Sequence, residues 1–402
     1  MTSIVVVGAG QAGASLVARL RSEGFDGAIT LIGAEPVPPY QRPPLSKAYL
    51  LGEMAQERLY LRPESYYADQ GIELRLGQPV EVIDPAAKRL RLGGEWLNWD
   101  QLALTTGARP IALPAAVGGT LGGVHMVRSL ADVDAMAPDV RPGAHALVIG
   151  GGYIGLEAAA VATKLGLKVT LVEMAPRILG RVACAETADF FRNLHRAHGV
   201  DIREGTGLVR LVGDTHVSGA ELSDGTRLAV DLAIVGIGIR PDTALAEAAG
   251  IALDNGIATD EFGRTSAPDI WAAGDCASFP GPGGMRLRLE SVPNAIDMAD
   301  CVARNMLGAA TPYLARPWFW SDQYDVKLQI AGLNTGYDGV VVRQGEKGAV
   351  SHWYFSADRL LAVDAMNDPR AYMIAKRLIE AGRSPTRAAV ADPGTDLKAL
   401  LA

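Results

Sequence analysis

The chain has 402 residues, 49% of them hydrophobic and 21% charged, enough apolar material for two or three domains with their own cores. A formal net charge of −7 argues against nucleic acid as a general partner. The long apolar stretch at 144–163 is interrupted by Gly150, Gly151, Gly152, Gly155 and Glu157, which reads as a strand–helix unit and excludes a membrane span.

The start enters a strand almost at once, without a basic region or a useful apolar run, so no signal peptide is expected. Residues 3–33 form a first βαβ unit. A β-branched run at 4–7 leads into Gly8-Ala9-Gly10-Gln11-Ala12-Gly13 and a helix-forming segment, and Glu35 ends a second apolar run 22 residues after Gly13. In this fingerprint the glycines let the backbone approach a pyrophosphate, the helix N-terminus faces its charge, and the acid takes a ribose hydroxyl. Residues 36–62 carry Pro36, Pro38, Pro39, Pro43 and Pro44, a density that excludes a long helix. Strands are expected near 73–76, 80–83, 89–92 and 101–105, the last running into Thr106-Gly107-Ala108-Arg109-Pro110. Linkers fill 112–143 around a short helix from about Leu130.

A second βαβ unit spans 145–173, with Gly150-Gly151-Gly152-Tyr153-Ile154-Gly155 and, 18 residues after Gly155, Glu173. Two fingerprints imply two dinucleotides, of which flavin plus nicotinamide is the usual pair. A helix is expected at 185–198, a hairpin turn at Ser223-Asp224-Gly225-Thr226, and a strand that delivers Asp275 to a glycine turn at Gly274. A helix at 294–308 follows. From Pro317 the Trp/Tyr-rich alternation predicts a small antiparallel sheet closed by a helix at 369–381.

Cys184, Cys276 and Cys301 are scattered without a C-x-x-C pair, so a redox dithiol and a disulfide framework are not expected and the compartment is read as cytoplasmic. His195 and His198 are three apart but lack a further ligand, so they are expected on a solvated helix face and no metal is expected.

Longer motifs make the chain recognisable. Gln41-Arg42-Pro43-Pro44-Leu45-Ser46-Lys47, Ala273-Gly274-Asp275-Cys276, Glu290-Ser291-Val292-Pro293-Asn294-Ala295 and Phe319-Trp320-Ser321-Asp322-Gln323-Tyr324 join the two fingerprints. Over nearly its whole length the chain resembles the FAD-dependent, NADH-using ferredoxin reductases of bacterial oxygenase systems, the putidaredoxin reductase and biphenyl dioxygenase ferredoxin reductase type. The resemblance implies an α/β fold with two Rossmann-like dinucleotide-binding domains, in the glutathione-reductase-like manner, and a C-terminal α+β domain. It implies a discontinuous FAD domain (1–110 and 245–318), an NADH domain (111–244) and a C-terminal domain (319–402).

The site residues carried over for FAD are Gly8, Gly10, Ala12 and Gly13 at the pyrophosphate, Val80 at the adenine, Arg42, Thr106 and Gly107, Arg128 from the interdomain side, Asp275 on the ribityl chain and Val292 at the flavin pyrimidine edge. Some relatives carry the ribose acid at the position of Ala34; here the role falls to Glu35. For NADH they are Gly150, Gly152, Ile154, Gly155 and Glu173, with Arg177 four residues on as a possible offset to the preference over NADPH. Taken alone, Lys47 and Glu157 read as a surface lysine and a solvated glutamate; the resemblance makes them a catalytic pair beside the isoalloxazine and nicotinamide.

The implied activity is transfer from NADH through FAD to a [2Fe-2S] ferredoxin that serves a cytochrome P450 or a Rieske-type oxygenase. Residues 1–183 hold no cysteine, which removes the dithiol and single-thiol chemistries of related flavoproteins. Segment 370–390 sets Arg370, Lys376, Arg377, Arg383 and Arg387 against Glu380 alone, a surface suited to an acidic ferredoxin, or simply a solvated helix face. Trp320 is read either as facing that partner or as core. A monomer is expected. The alternatives are a rubredoxin reductase and, in a different class, an NADH-sensing flavoprotein of the apoptosis-inducing-factor type.

Overall fold

The computed structural model describes residues 2–401. The chain divides into two compact units, each assembled from separated stretches: residues 1–41, 55–109 and 239–317 in the first, and 42–54, 110–238 and 318–402 in the second.

In the first unit the strand Ser3–Val7 is the centre of a five-stranded sheet, ordered Ile270–Ala272, Gln101–Leu104, Ser3–Val7, Ala28–Ile32, Ile72–Arg75, and parallel throughout. Ile4, Val5, Val6 and Val7 are all buried, as expected of a strand covered on both faces, so the run shows no polar alternation. The helix Gln11–Ser22 turns Leu16, Val17 and Leu20 into the core beside Met298 and Val302 of the helix Val292–Met306. That second helix starts two residues before the expected position. Ser291 caps it by accepting the Asn294 N–H at 3.2 Å, and Pro293 sits in the first turn, where a missing N–H breaks no helical bond. A small antiparallel sheet (Val80–Asp84, Arg89–Leu92, Glu95–Asn98) belongs to the same unit. The proline-rich stretch, whose residues 42–54 belong to the second unit, forms the short turns Leu45–Tyr49 and Gln56–Arg58 and no long helix.

The second unit repeats the architecture. Its parallel sheet is ordered Asp201–Glu204, Lys168–Glu173, His145–Ile149, Leu232–Val235, Val124–His125. The helix Tyr153–Lys164 is buried over most of its surface because its alanines let strands and neighbours approach from several sides. The expected hairpin joins Gly219–Leu222 to Arg227–Ala229. The Trp/Tyr-rich segment is a five-stranded antiparallel sheet, ordered Trp318–Gln323, Val326–Gly332, Arg359–Met366, Val350–Ser356, Gly339–Gln344. The helix Pro369–Glu380 covers it with Tyr372, Ile374 and Leu378. A further short helix, Arg387–Ala391, was not expected; Thr386 caps it through the Ala389 N–H.

Buried polar bonds tie the helix Ala185–Ala197 to this C-terminal sheet. Thr187 Oγ1 donates to Asp364 Oδ2 at 2.7 Å and Tyr354 donates to the same oxygen, while burial pushes the Asp364 carboxyl up to about 6. The expected solvated face at His195 and His198 holds for His198 alone. His195 is fully buried, because the strand end at Gln323 packs on that side of the helix, and burial pushes its imidazole down to about 4.

All three cysteines are buried and unpaired. Among the described residues there is no helix long and apolar enough to cross a membrane, and no group of three or more His, Cys, Asp or Glu positioned to hold a metal ion.

Candidate functional site

Both glycine loops are built on the same close contacts. In the first unit the Gly8 N–H donates to the Ile32 carbonyl at 2.8 Å and Gly8 sits at φ +115°; in the second, Gly150 donates to Val172 at 2.9 Å with φ +106°. A β-carbon at Gly13 would lie 2.0 Å from the Gly8 carbonyl oxygen, and one at Gly155 would lie 2.0 Å from that of Gly150. The outer glycines therefore exist for packing. The middle ones do not: a β-carbon at Gly10 or at Gly152 would meet nothing within 4 Å.

Each of these open positions is the N-cap of its helix, with no side-chain cap bond and no acidic residue in the first turn. A helix N-terminus with N–H groups left uncapped and open space in front suits an anionic phosphate. Both loops thus fit a dinucleotide pyrophosphate.

The acids of the two fingerprints are held differently. Glu35, half-buried, accepts from the Tyr40 hydroxyl at 2.6 Å. Glu173 accepts from two backbone groups, the Gly151 N–H on Oε2 and the Ala175 N–H on Oε1, each at 2.7 Å. Carboxylate oxygens keep a second lone pair, so Glu173 retains acceptor capacity for ribose hydroxyls. Arg177, expected as a possible offset to a preference for NADH, is engaged with its own turn. Its guanidinium is spent on the carbonyls of Ala183, Cys184 and Gly180 at 2.7, 3.1 and 3.4 Å.

Around the first loop, Gly274 comes so close to the helix Gln11–Ser22 that a β-carbon there would lie 2.9 Å from the Ala12 Cβ, which brings the Gly274-Asp275 turn beside the fingerprint. Thr106 Oγ1 donates to the Asp242 carbonyl at 2.6 Å, and the Gly107 carbonyl accepts the Asp242 N–H. Val80 opens its strand half-buried, and Val292 opens its helix.

In the second unit Arg42 Nη1 donates to the Arg128 carbonyl at 2.7 Å, joining two residues 86 positions apart. Arg128 itself precedes a capping box, in which Ser129 and Asp132 satisfy each other's backbone N–H groups. Ile154 is exposed at the mouth of its loop.

The strongest juxtaposition is Lys47 with Glu157. Lys47 Nζ lies 3.0 Å from Glu157 Oε1, the carboxylate is only 7% exposed, and Ser321 Oγ donates to the same oxygen at 2.7 Å. Burial pushes the Glu157 carboxyl up, against the pull of Lys47 and of the Ser321 hydroxyl. A buried acid beside one ammonium is a group whose charge responds to its surroundings. Sequence reasoning named neither Ser321 nor Tyr40 as site residues. For Ser321 the signal was present in Phe319-Trp320-Ser321-Asp322-Gln323-Tyr324, a motif with no role attached to its serine; for Tyr40 it lay only in the proline-rich context after Glu35.

Residues 2–299 match the family model described as pyridine nucleotide-disulphide oxidoreductase, and residues 318–401 match the one described as reductase C-terminal. Rhodocoxin reductase of Rhodococcus erythropolis is 43% identical over 100% of this chain and 94% of its own length. Putidaredoxin reductase of Pseudomonas putida is 42% identical over 94% of this chain and 91% of its own. Among solved structures, the covalent putidaredoxin reductase–putidaredoxin complex superposes with a TM-score of 0.95 at 40% identity, covering 100% of this chain and 98% of that one. The chain belongs to the pyridine nucleotide-disulphide oxidoreductase family and carries the reductase C-terminal domain.

Proposed function

We propose that this protein is an FAD-dependent NADH:ferredoxin reductase that passes electrons to a [2Fe-2S] ferredoxin serving a cytochrome P450 or a Rieske-type oxygenase. The observation that carries the reading is the pair of open-centred dinucleotide loops in a chain whose thiols are all buried. Bound FAD supplies the conversion between two-electron hydride acceptance and one-electron release.

The residues act around it. Gly8, Gly10, Ala12 and Gly13 receive the FAD pyrophosphate, Glu35 its ribose and Val80 its adenine. Arg42, Thr106, Gly107, Arg128 and Asp275 line the remainder, and Val292 opens a helix whose N-terminus favours negative charge at the pyrimidine edge. Gly150, Gly152, Ile154 and Gly155 receive NADH. Glu173 favours it over NADPH, since a 2′-phosphate would meet a carboxylate while the Arg177 guanidinium is already engaged. Lys47 and Glu157 are the catalytic pair: the ammonium holds the carboxylate in place, and together they orient the reacting rings and adjust local charge during hydride transfer.

The same reading assigns 1–110 with 245–318 to FAD, 111–244 to NADH and 319–402 to the C-terminal domain, in a cytoplasmic monomer. An acidic ferredoxin is met by the basic segment 370–390. Arg370 and Arg387 pair there with Asp396 and Asp338, and Lys376 lies 3.9 Å from Glu380; Arg377 and Arg383 are the residues assigned to the docking surface.

Stopped-flow mixing tests the assignment. The FAD-loaded protein is reduced by NADH and then mixed with [2Fe-2S] ferredoxins or with rubredoxin. Rapid reduction of a [2Fe-2S] ferredoxin is expected, slowed by salt and by Arg377→Glu with Arg383→Glu. A protein that keeps its electrons before every [2Fe-2S] carrier, or prefers rubredoxin, overturns it.

A further inference from the structure

His195 has no place in the fingerprints, yet it is fully buried and hydrogen-bonded on both ring nitrogens. Its Nε2 lies 2.8 Å from Gln323 Oε1. Gln323 Nε2 donates to Ser321 Oγ at 3.2 Å, and Ser321 donates to Glu157 Oε1 at 2.7 Å. Ser321, Gln323 and His195 are all inaccessible to solvent.

Proton counting gives this chain a direction. Ser321 has one proton, and it goes to the carboxylate; the serine oxygen then accepts from the Gln323 amide. The amide oxygen can only accept, so His195 must carry its proton on Nε2. With burial pushing the imidazole down to about 4, the ring is neutral, and Nδ1 is an acceptor for the Tyr324 hydroxyl at 3.3 Å. Every donor points toward Glu157.

Tyr324 is also held in place. It occupies the tight turn between Trp318–Gln323 and Val326–Gly332 at φ +56°, where glycine or asparagine is the ordinary choice. Its ring stacks on His198 at 3.7 Å between centroids and its edge meets His195. An aromatic residue kept in that conformation points to the contacts its side chain makes.

We propose that His195 is a positioning residue for the Lys47–Glu157 pair: through Gln323 and Ser321 it holds an aligned file of donors behind the Glu157 carboxylate and keeps that group the ionised partner of Lys47. The inference rests on the reading of Glu157 as part of the hydride-transfer site. The chain transmits orientation and not protons, because the primary amide of Gln323 would have to give up an amide N–H to pass one on. The other groups that face Glu157 are Ser46, 3.5 Å from Oε2, and Asp322, which stands 3.9 Å from Lys47; those that face His195 are Tyr324 and His198.

The test uses the FAD-loaded protein and four chains: wild type, His195→Phe, His195→Gln and Glu157→Gln. Infrared titration follows the protonated-carboxyl band that Glu157→Gln removes, and stopped flow follows the pH dependence of reduction by NADH. His195→Phe removes the N–H behind Gln323, so the band's midpoint is expected to rise by about one pH unit, the size of one buried hydrogen bond. The acidic limb of the rate profile is expected to move with it. His195→Gln, which keeps a donor near the Nε2 position, returns both toward wild type. ¹⁵N-histidine NMR should show His195 neutral and protonated on Nε2.

An unchanged midpoint in His195→Phe, or the Nδ1-protonated tautomer, overturns the proposal. If His195→Phe fails to fold, Gln323→Met breaks the same file from the sheet side and is read the same way. A rate profile that Glu157→Gln leaves unmoved counts against the catalytic reading of Glu157, whereas the infrared midpoint still decides the role of His195.

Discussion

The two glycine loops share a backbone and differ in their acids. In the first unit Glu35 is steadied by a side chain, the Tyr40 hydroxyl; in the second, Glu173 is bonded to the Gly151 N–H of the glycine loop itself and to the Ala175 N–H just beyond it. The difference is one of coupling. Disturbing Glu173 releases an N–H of the second loop, whereas the contact that Tyr40 makes with Glu35 lies between two side chains. On the proposed assignment of the loops, a site that holds its ligand permanently can spread its contacts over remote residues, while a site that binds and releases benefits from one group that both orders the loop and would read the sugar.

The largest effects test whether the two loops share their backbone logic. Gly13→Ala and Gly155→Ala each drive a β-carbon to within 2.0 Å of a main-chain carbonyl, which cannot rotate away. Overpacking of that kind costs about 3 kcal/mol, and a fall in melting temperature of roughly 6 °C or more is expected in thermal unfolding. Gly10→Ala and Gly152→Ala meet no atom within 4 Å and should unfold like wild type. Their cost appears in binding: weaker FAD retention for Gly10→Ala, and a KM for NADH raised roughly tenfold for Gly152→Ala, about 1.4 kcal/mol. If Gly10→Ala lowered the melting temperature as far as Gly13→Ala, the distinction between packing and ligand-facing glycines would be lost.

The second effect concerns the coupled acid. Glu173→Ala removes the acceptor of two charge-assisted hydrogen bonds as well as the proposed ribose contact, so kcat/KM for NADH should fall roughly 50-fold, about 2.3 kcal/mol. NADPH should gain nothing from this change, because Arg177 remains tied to the Ala183, Cys184 and Gly180 carbonyls. Adding Met174→Arg, at a side chain that is 80% exposed beside Glu173, supplies the missing cation, and NADPH turnover should then rise. Steady-state kinetics with both coenzymes decides it. NADPH activity appearing in Glu173→Ala alone would show that a cation already faces the 2′ position.

These contrasts were only partly open to sequence reasoning. The loops, the parallel strands beside them and the hairpin at Gly225 follow from local pattern, because each is specified within about 30 residues. The Lys47–Glu157 contact joins residues 110 positions apart and depends on how the turn Leu45–Tyr49 lies along the helix Tyr153–Lys164. No periodicity encodes that, and only the family resemblance pointed to the pair. Arg177 looked available because its sequence neighbours are ordinary; its engagement needs a turn that folds three carbonyls around it. His195 misled for a similar reason. A helix with a histidine three residues from another reads as amphipathic and wet until a strand end arrives to cover one of them.

The smallest effect isolates the first loop's acid. Tyr40 is 4% exposed, so Tyr40→Phe keeps the packing and deletes only the hydroxyl that donates to Glu35. The carboxylate loses one orienting bond but keeps both oxygens for a ribose, and such a loss is worth about 1 kcal/mol. FAD affinity, followed by flavin fluorescence, should therefore fall by no more than about fivefold, because losing one orienting bond leaves more of the carboxylate's order to be supplied on binding. The KM for NADH should not move, since Glu173 takes its order from its own loop. A matched change in NADH affinity would mean that the two acids are coupled through the protein, and the separate origins of their order would no longer explain the difference between the loops.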